Sequence, residues 1–135
     1  MAERRPNRAL GGPHDTFWAH CANGELRLQR CGACGHVSWP PVNACEECGD
    51  TGLTWERMSG RGRVIGWNTF HQRYYKELEP PYDTLLVELE EGPLFIGNPL
   101  GFSNDEVRFE MPVQVAFLDC EDDAGAFRLP VFERG

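Results

Sequence analysis

The sequence predicts a mainly β protein: a short N-terminal helix, a small cysteine-built ribbon and then a five-stranded barrel. Three features carry that prediction. Two Cys-x-x-Cys-Gly hooks occupy residues 31–35 and 45–49, the alternating run Leu26-Arg27-Leu28-Gln29-Arg30 leads into the first hook, and from Gly60 onward short apolar runs are divided by turn residues. The expected parts are a flexible arm at 1–12, the helix at 13–25, the ribbon at 26–58 and the barrel at 59–135.

The arm ends in the breaker Gly11-Gly12-Pro13, and order is expected to begin after it. A helix is predicted from His14 or Asp15, with Asp15 or Thr16 as cap, Phe17, Trp18 and Cys21 as apolar stripe and Asn23-Gly24 as stop. A helix this short does not stand alone in water, so Phe17 and Trp18 must pack on this chain or on another one.

Each hook holds two cysteines with a two-residue gap, which lets one tight turn aim both sulfurs at a single cation. The glycine after each second cysteine takes the positive φ that brings the chain back without a Cβ clash. Cys31, Cys34, Cys45 and Cys48 therefore complete a tetrahedron, and His36 to Pro41 has room for a short strand and a proline turn between the hooks. This is the pattern of a rubredoxin-like zinc ribbon. Four thiolate ligands leave no open position on the metal, so Zn²⁺ here is structural and does not activate water. Iron fits the same sulfur set, and a red colour would distinguish it. A ribbon of about thirty residues buries too little surface to hold itself together, and the metal supplies folding free energy on the order of 10 kcal/mol. Cys21 and Cys120 lie outside the pattern and read as buried small apolar residues, and His36 reads as a loop side chain.

Beyond Gly60, strands are expected at 63–74, 84–90, 94–99, 113–119 and 126–132. Glu91-Gly92 makes a tight hairpin between the second and third, and Asp122-Asp123-Ala124-Gly125 turns the fourth into the fifth. The stretch Gly101 to Met111, broken at Pro112, falls where a five-stranded Greek-key barrel places its crossover. That is the OB-fold pattern.

Composition narrows the function. The 135 residues include 13 basic and 21 acidic ones, for a net charge of −8, and apolar runs such as Thr84 to Val87 are far shorter than a membrane span. Met1 to Gly12 is Arg-rich and has no apolar stretch of the kind a secretory signal needs, so a cytoplasmic protein is expected. Net acidity opposes nucleic acid as main partner, because phosphate neutralisation by Lys and Arg supplies most of that affinity. The charge is nonetheless uneven: residues 1–76 carry 10 basic against 7 acidic residues, and residues 77–135 carry 3 against 14. A single-stranded nucleic-acid module stays open as a second reading, with Trp67, Phe70, Tyr74 and Tyr75 as stacking groups. No nucleophile elbow, Walker loop, dinucleotide glycine pattern or convincing Cys–His pair is found in the sequence.

Taken in order, Phe17-Trp18, the run Gly24-Glu25-Leu26-Arg27-Leu28-Gln29-Arg30-Cys31, the two hooks, Ser59-Gly60-Arg61-Gly62, Glu91-Gly92-Pro93 and Met111-Pro112-Val113 resemble the zinc-ribbon/OB-fold proteins associated with acyl-CoA enzymes. The likeness covers nearly all of residues 14–132, with one departure at Glu110, where such proteins commonly place glycine. The resemblance implies an accessory subunit, not catalytic alone, of a thiolase-superfamily partner. In some such complexes the partner performs a retro-aldol (lyase) cleavage of a steroid side-chain acyl-CoA; in others it is a thiolase or acyltransferase. A coenzyme A thioester is then a shared ligand. Arg61 and Arg63 are the expected phosphate contacts, since guanidinium forks suit phosphate oxygens, although solvated charge is the plainer alternative. Phe70, His71, Arg73 and Tyr75 are the expected substrate contacts, with a rim or core histidine as the alternative for His71. Phe17, Trp18, Pro81 and Tyr82 are the expected partner-facing residues.

Overall fold

A computed structural model describes residues 2–135; the Met1 end of the arm lies outside them. The elements in order are β1 (Glu3–Arg4), α1 (Pro13–Ala22), β2 (Arg27–Cys31), β3 (Val37–Ser38), β4 (Leu53–Arg57), β5 (Arg61–Phe70), β6 (Tyr82–Leu89), β7 (Leu94–Gly97), a 3₁₀ turn (Asn104–Glu106), β8 (Pro112–Asp122) and β9 (Gly125–Arg134).

Helix α1 starts earlier than expected because Pro13 takes the first helical position, where its fixed φ fits and its missing N–H costs nothing. Asp15 is not the cap. Its carboxylate accepts the Gly11 N–H at 2.9 Å and closes the turn ahead of the helix. Asn23 and Gly24 end the helix, as the sequence predicts, their N–H groups donating to the carbonyls of His20 and Cys21 at 3.0 and 2.9 Å.

The ribbon is a three-stranded antiparallel sheet with β2 between β3 and β4. Gln29, buried on β2, donates its side-chain amide to the Val42 carbonyl at 2.9 Å and accepts the Val42 N–H at 2.8 Å. Both halves of a buried amide are thereby satisfied, and the segment between the hooks is tied to the sheet.

In the barrel, β6 pairs antiparallel with β5 and β7, and β8 pairs antiparallel with β5 and β9. The circuit closes between the end of β7 and β9 by a single parallel bridge, Pro99 to Phe132. Phe132 donates to the Asn98 carbonyl at 3.0 Å there, and Leu100 donates to the Phe132 carbonyl at 2.7 Å. This strand order is that of an OB-fold, with a thin seam in place of a full ladder. Strand β5 stops at Phe70, short of the expected Tyr74, and most of residues 71–81 form an exposed loop. The β8–β9 hairpin runs further than expected because its register continues unbroken from Val113–Arg134 to Asp122–Gly125.

The three parts share one core. Phe17, Cys21, Leu26 and Leu28 belong to the same apolar cluster as Val64, Val87, Phe95 and Phe132 of the barrel. An aromatic relay runs through it: Phe17 to Trp39 at 4.6 Å between centroids, Trp39 to Phe95 at 4.5 Å and Phe95 to Phe132 at 6.0 Å.

Residues 2–9 differ from the flexible arm that was expected. Glu3 and Arg4 pair in parallel with Cys120 and Glu121 of β8. Arg8 sends both its backbone N–H and its Nε to Asp122 Oδ2 at 3.1 Å, and the Trp18 indole N–H donates to the Ala9 carbonyl at 3.0 Å. The physical reason is charge and edge together: a basic segment meets the acidic turn Glu121-Asp122-Asp123 beside a stretch of β8 that β5 does not cover. Among the described residues, no helix is long and apolar enough to cross a membrane.

Candidate metal centre and surface sites

The two hooks face each other at the end of the ribbon. Gly35 and Gly49 each sit at φ 80, and their N–H groups donate back to the carbonyls of Cys31 and Cys45 at 2.9 and 2.8 Å. Cys31 and Cys45 are buried, whereas Cys34 and Cys48 reach the surface. The four sulfurs all lie within 4.8 Å of one another, with Cys31 to Cys48 at 3.5 Å and Cys34 to Cys45 at 3.6 Å. A tetrahedral site with Zn–S bonds of about 2.3 Å needs sulfurs about 3.8 Å apart, so the cage fits the ion. Its electrostatics ask for one. The Cys34 amide N–H, and then that of Ala33, donate to the Cys31 sulfur and bring its thiol down to about 7 against the effect of burial. Cys48 goes the other way, to about 12. The Asp50 N–H pulls its thiol down, but the neighbouring sulfurs of Cys31 and Cys34, with burial, outweigh that pull. Four thiolates at this spacing need a cation among them, and filling the tetrahedron leaves no position for water.

His36 lies outside the cage and contacts Glu46 at 3.1 Å. Cys21 and Cys120 are fully buried; burial pushes the Cys21 thiol up to about 12 and raises that of Cys120, which suits apolar packing and not nucleophilic attack.

The expected ligand contacts are not all brought together. Arg61 pairs with Glu90 at 2.8 Å, and Arg63 pairs with Glu88 at 2.6 Å and also with Glu110. The hollow of about 360 Å³ beside them includes Glu88 and Glu90 in its wall, so a phosphate would have to break existing ion pairs to enter. Both pairs are solvent-exposed, so a phosphate would exchange with a glutamate there at little cost. Arg73 is likewise engaged, by Glu79 and by the Lys76 carbonyl at 2.9 Å. His71 and Pro81 meet at a different hollow, of about 560 Å³, with Thr69, Asp83 and Asn104 in its wall. There Asp83 accepts the Thr69 hydroxyl at 2.8 Å and the Asn104 N–H at 3.0 Å, while Asn104 Oδ1 is buried without a hydrogen-bond partner. Sequence reading missed Asp83 and Asn104, since a lone Asp and a lone Asn carry no spacing signal. Tyr75 stands exposed on the loop, and Phe70 stacks on Tyr82 at 4.9 Å.

Of the expected partner-facing residues, Pro81 is exposed, but Phe17 is only 1% exposed. Its ring is enclosed by Trp18 and Trp39, so it packs on this chain and is unavailable to another. Trp18 is half-buried, edge-on to Phe127 at 5.3 Å.

A ribbon and a barrel around one core, with a closed tetrathiolate cage, define a metal-braced zinc-ribbon/OB-fold protein. Two family models match it in tandem: "ChsH2, rubredoxin-like zinc ribbon domain" over residues 18–54 and "ChsH2, C-terminal OB-fold domain" over residues 55–118. The chain belongs to this ChsH2-type family.

It is 32% identical over 129 residues to a probable enoyl-CoA hydratase alpha subunit of Thermomonospora curvata, covering 95% of this chain and 39% of that one. To the 3-oxo-4,17-pregnadiene-20-carboxyl-CoA hydratase alpha subunit of Mycobacterium tuberculosis it is 33% identical over 106 residues, covering 78% and 34%. To a DUF35 domain-containing scaffold protein of Pyrococcus furiosus it is 32% identical, covering 73% and 74%. The chain thus spans under two fifths of the length of these two hydratase subunits. A solved structure described as an Ltp2-ChsH2(DUF35) aldolase superposes with a TM-score of 0.80 at 29% identity, over 95% of this chain and 98% of that one.

Proposed function

We propose that this chain is a non-catalytic, zinc-braced subunit that docks a thiolase-superfamily protein and supports its acyl-CoA chemistry. Retro-aldol cleavage of a steroid side-chain acyl-CoA is the reaction it fits best. The observation that carries the reading is the likeness, nearly end to end, to the ChsH2(DUF35) component of an aldolase. The relative that acts on a pregnadiene carboxyl-CoA supports the steroid substrate class. A thiolase making or breaking a carbon–carbon bond is the second reading, and the likeness to a protein described as a scaffold supports a non-catalytic role in either.

In this reading the metal holds the ribbon against the barrel and takes no part in bond-breaking. Arg61, Arg63 and Arg73 stay the candidate phosphate and substrate contacts of this chain, each exchanging an exposed glutamate for the ligand. His71 and Tyr75, both exposed, are the residues through which this chain would reach the shared thioester.

The test is co-expression with thiolase-superfamily proteins of the same genome, beginning with any encoded next to this chain. A stable complex is expected, together with acyl-CoA cleavage that neither chain performs alone. Failure to form a complex, or cleavage by the partner unaffected by this chain, would overturn the proposal.

A further inference from the structure

The arm and the hollow that His71 shares are joined by side chains. The Arg5 N–H donates to the Glu121 carbonyl at 3.0 Å and extends the arm's ladder, while its side chain, only 15% exposed, reaches the seam that closes the barrel. There Nη1 donates to Asn98 Oδ1 at 2.9 Å, and Asn98 Nδ2 donates onward to the Asp83 carbonyl at 2.8 Å. Both halves of the Asn98 amide are thus used, and its own carbonyl accepts the Phe132 N–H of the seam. Asp83 is the point where this reach meets the candidate site. It lies in the wall of a hollow of about 210 Å³ that Arg5 also lines, and in the wall of the larger hollow with His71. Its carboxylate oxygens are taken separately, one by the Thr69 hydroxyl and the other by the Asn104 N–H, and the Asn104 side chain donates to Thr69 Oγ1 at 3.1 Å. One chain of hydrogen bonds therefore runs from the arm, through the end of β7, to the paired ends of β5 and β6 and the 3₁₀ turn.

We infer that Arg5 is a positioning residue for the polar hollow: by holding Asn98 it fixes Asp83, and with it Thr69, Asn104 and the wall that His71 shares. The inference rests on the proposed function, in which that hollow is this chain's part of the acyl-CoA site. Polar networks stiffen a site when every member is satisfied and loosen it when one is missing. Without the guanidinium, Asn98 Oδ1 loses its donor, and an amide held at one end only is free to turn and release the Asp83 carbonyl. The arm does not depend on Arg5 for its own docking. Arg8 holds it to Asp122 at 3.1 Å, with its guanidinium 4.6 Å from the Phe127 ring centroid, and the Trp18 indole holds the Ala9 carbonyl. Glu3 pairs with Arg5 Nε at 2.5 Å and orients the fork, so the anchored arm presents Arg5 to the seam ready-made.

The test combines amide hydrogen exchange on the zinc-loaded full chain with kinetics of its complex. The Asn104 N–H, bonded to Asp83, reports the hollow, and the Val42 N–H, bonded to Gln29 in the ribbon, reports the rest of the fold. Arg5→Ala and Asn98→Ala should each speed exchange at Asn104 about five- to tenfold, the scale of one hydrogen bond, and the double variant should add little because both cut one path. Val42 should stay within about twofold of wild type. Arg4→Ala, which removes only exposed pairs with Glu121 and Asp123, should leave both amides within about twofold. In the complex with the thiolase-superfamily partner, Arg5→Ala should lower kcat/KM for a β-hydroxyacyl-CoA with a steroid side chain about tenfold, chiefly through KM, at unchanged affinity for the partner. Arg5→Lys keeps a donor and should restore most of that loss. Unchanged exchange at Asn104, equal acceleration at Asn104 and Val42, or unchanged kcat/KM would overturn the inference and leave the proposed function standing. No cleavage by the wild-type complex would remove both.

Discussion

Replacing Phe17 with alanine tests whether helix, ribbon and barrel form one cooperative core. The ring is 1% exposed and packs edge-on to Trp18 at 5.0 Å and against Trp39 at 4.6 Å, and Trp39 in turn meets Phe95 of the barrel. Truncating a buried Phe costs about 3 to 5 kcal/mol, and the two aromatic contacts place this site in the upper part of that range. For a chain of 135 residues, each kcal/mol shifts the melting temperature by roughly 3 to 4 °C, so Phe17→Ala should lower it by about 12 to 18 °C. Thermal unfolding of the zinc-loaded protein, followed by near-ultraviolet circular dichroism, reads the loss directly because Trp18 and Trp39 are the reporters. Phe17→Leu keeps most of the volume and should cost about a third as much. A drop of less than about 3 °C accompanied by loss of partner binding would show that Phe17 serves an interface, and the single-core account would be wrong.

Three further outcomes are expected. Chelating the metal, or replacing Cys31 and Cys48 with serine, should unfold the ribbon and lower the melting temperature by more than about 15 °C, since structural zinc supplies on the order of 10 kcal/mol; metal content and melting curves check this, and iron would show as a visible band. At the arm, Asp122 is 3% exposed: burial pushes its carboxyl up, but hydrogen bonds from the Arg8 N–H, the Arg8 guanidinium and the Ala124 N–H together hold it below the usual carboxylate range. A depressed native value contributes stability above the unfolded value near about 4 that is lost as pH falls through the native one, so acid unfolding should be shallower in Asp122→Asn, and Arg8→Ala should cost about 2 kcal/mol at neutral pH. Glu110 sits at φ 68, and is the non-glycine residue with positive φ among those described. Glu110→Gly should therefore change stability by less than about 1 kcal/mol, while β-branched Glu110→Val should lose about 1 to 2 kcal/mol in chemical denaturation.

The features legible in the sequence were those encoded by short spacings. Each cysteine hook is five residues of local chain, and the turns at Glu91-Gly92 and Asp122 to Gly125 announce themselves by residue type, so the cage and the hairpins were in place before any tertiary contact was known. Glu110 was flagged by the family resemblance, which implies a glycine there, and its backbone is left-handed. What stayed hidden depends on distant partners. The arm reaches side chains more than 110 positions away, and no local pattern distinguishes a basic tail that docks on Asp122 from one that waves in water. Phe17 and Trp18 are neighbours pointing in different directions on a helix, and only the position of Trp39 decides which of them is enclosed.

The arginines carry the larger lesson about function. Arg61 and Arg63 lie on β5 across from Glu90 and Glu88 because the antiparallel register puts them there, with Gly62 opposite Leu89 and Arg63 opposite Glu88. Cross-strand pairs of this kind are worth little at the surface, so they place the guanidinium groups without closing them to another anion. Sequence alone hides these pairs, because the spacing that sets Arg61 and Arg63 on β5 says nothing of which glutamates the β6 register brings opposite them.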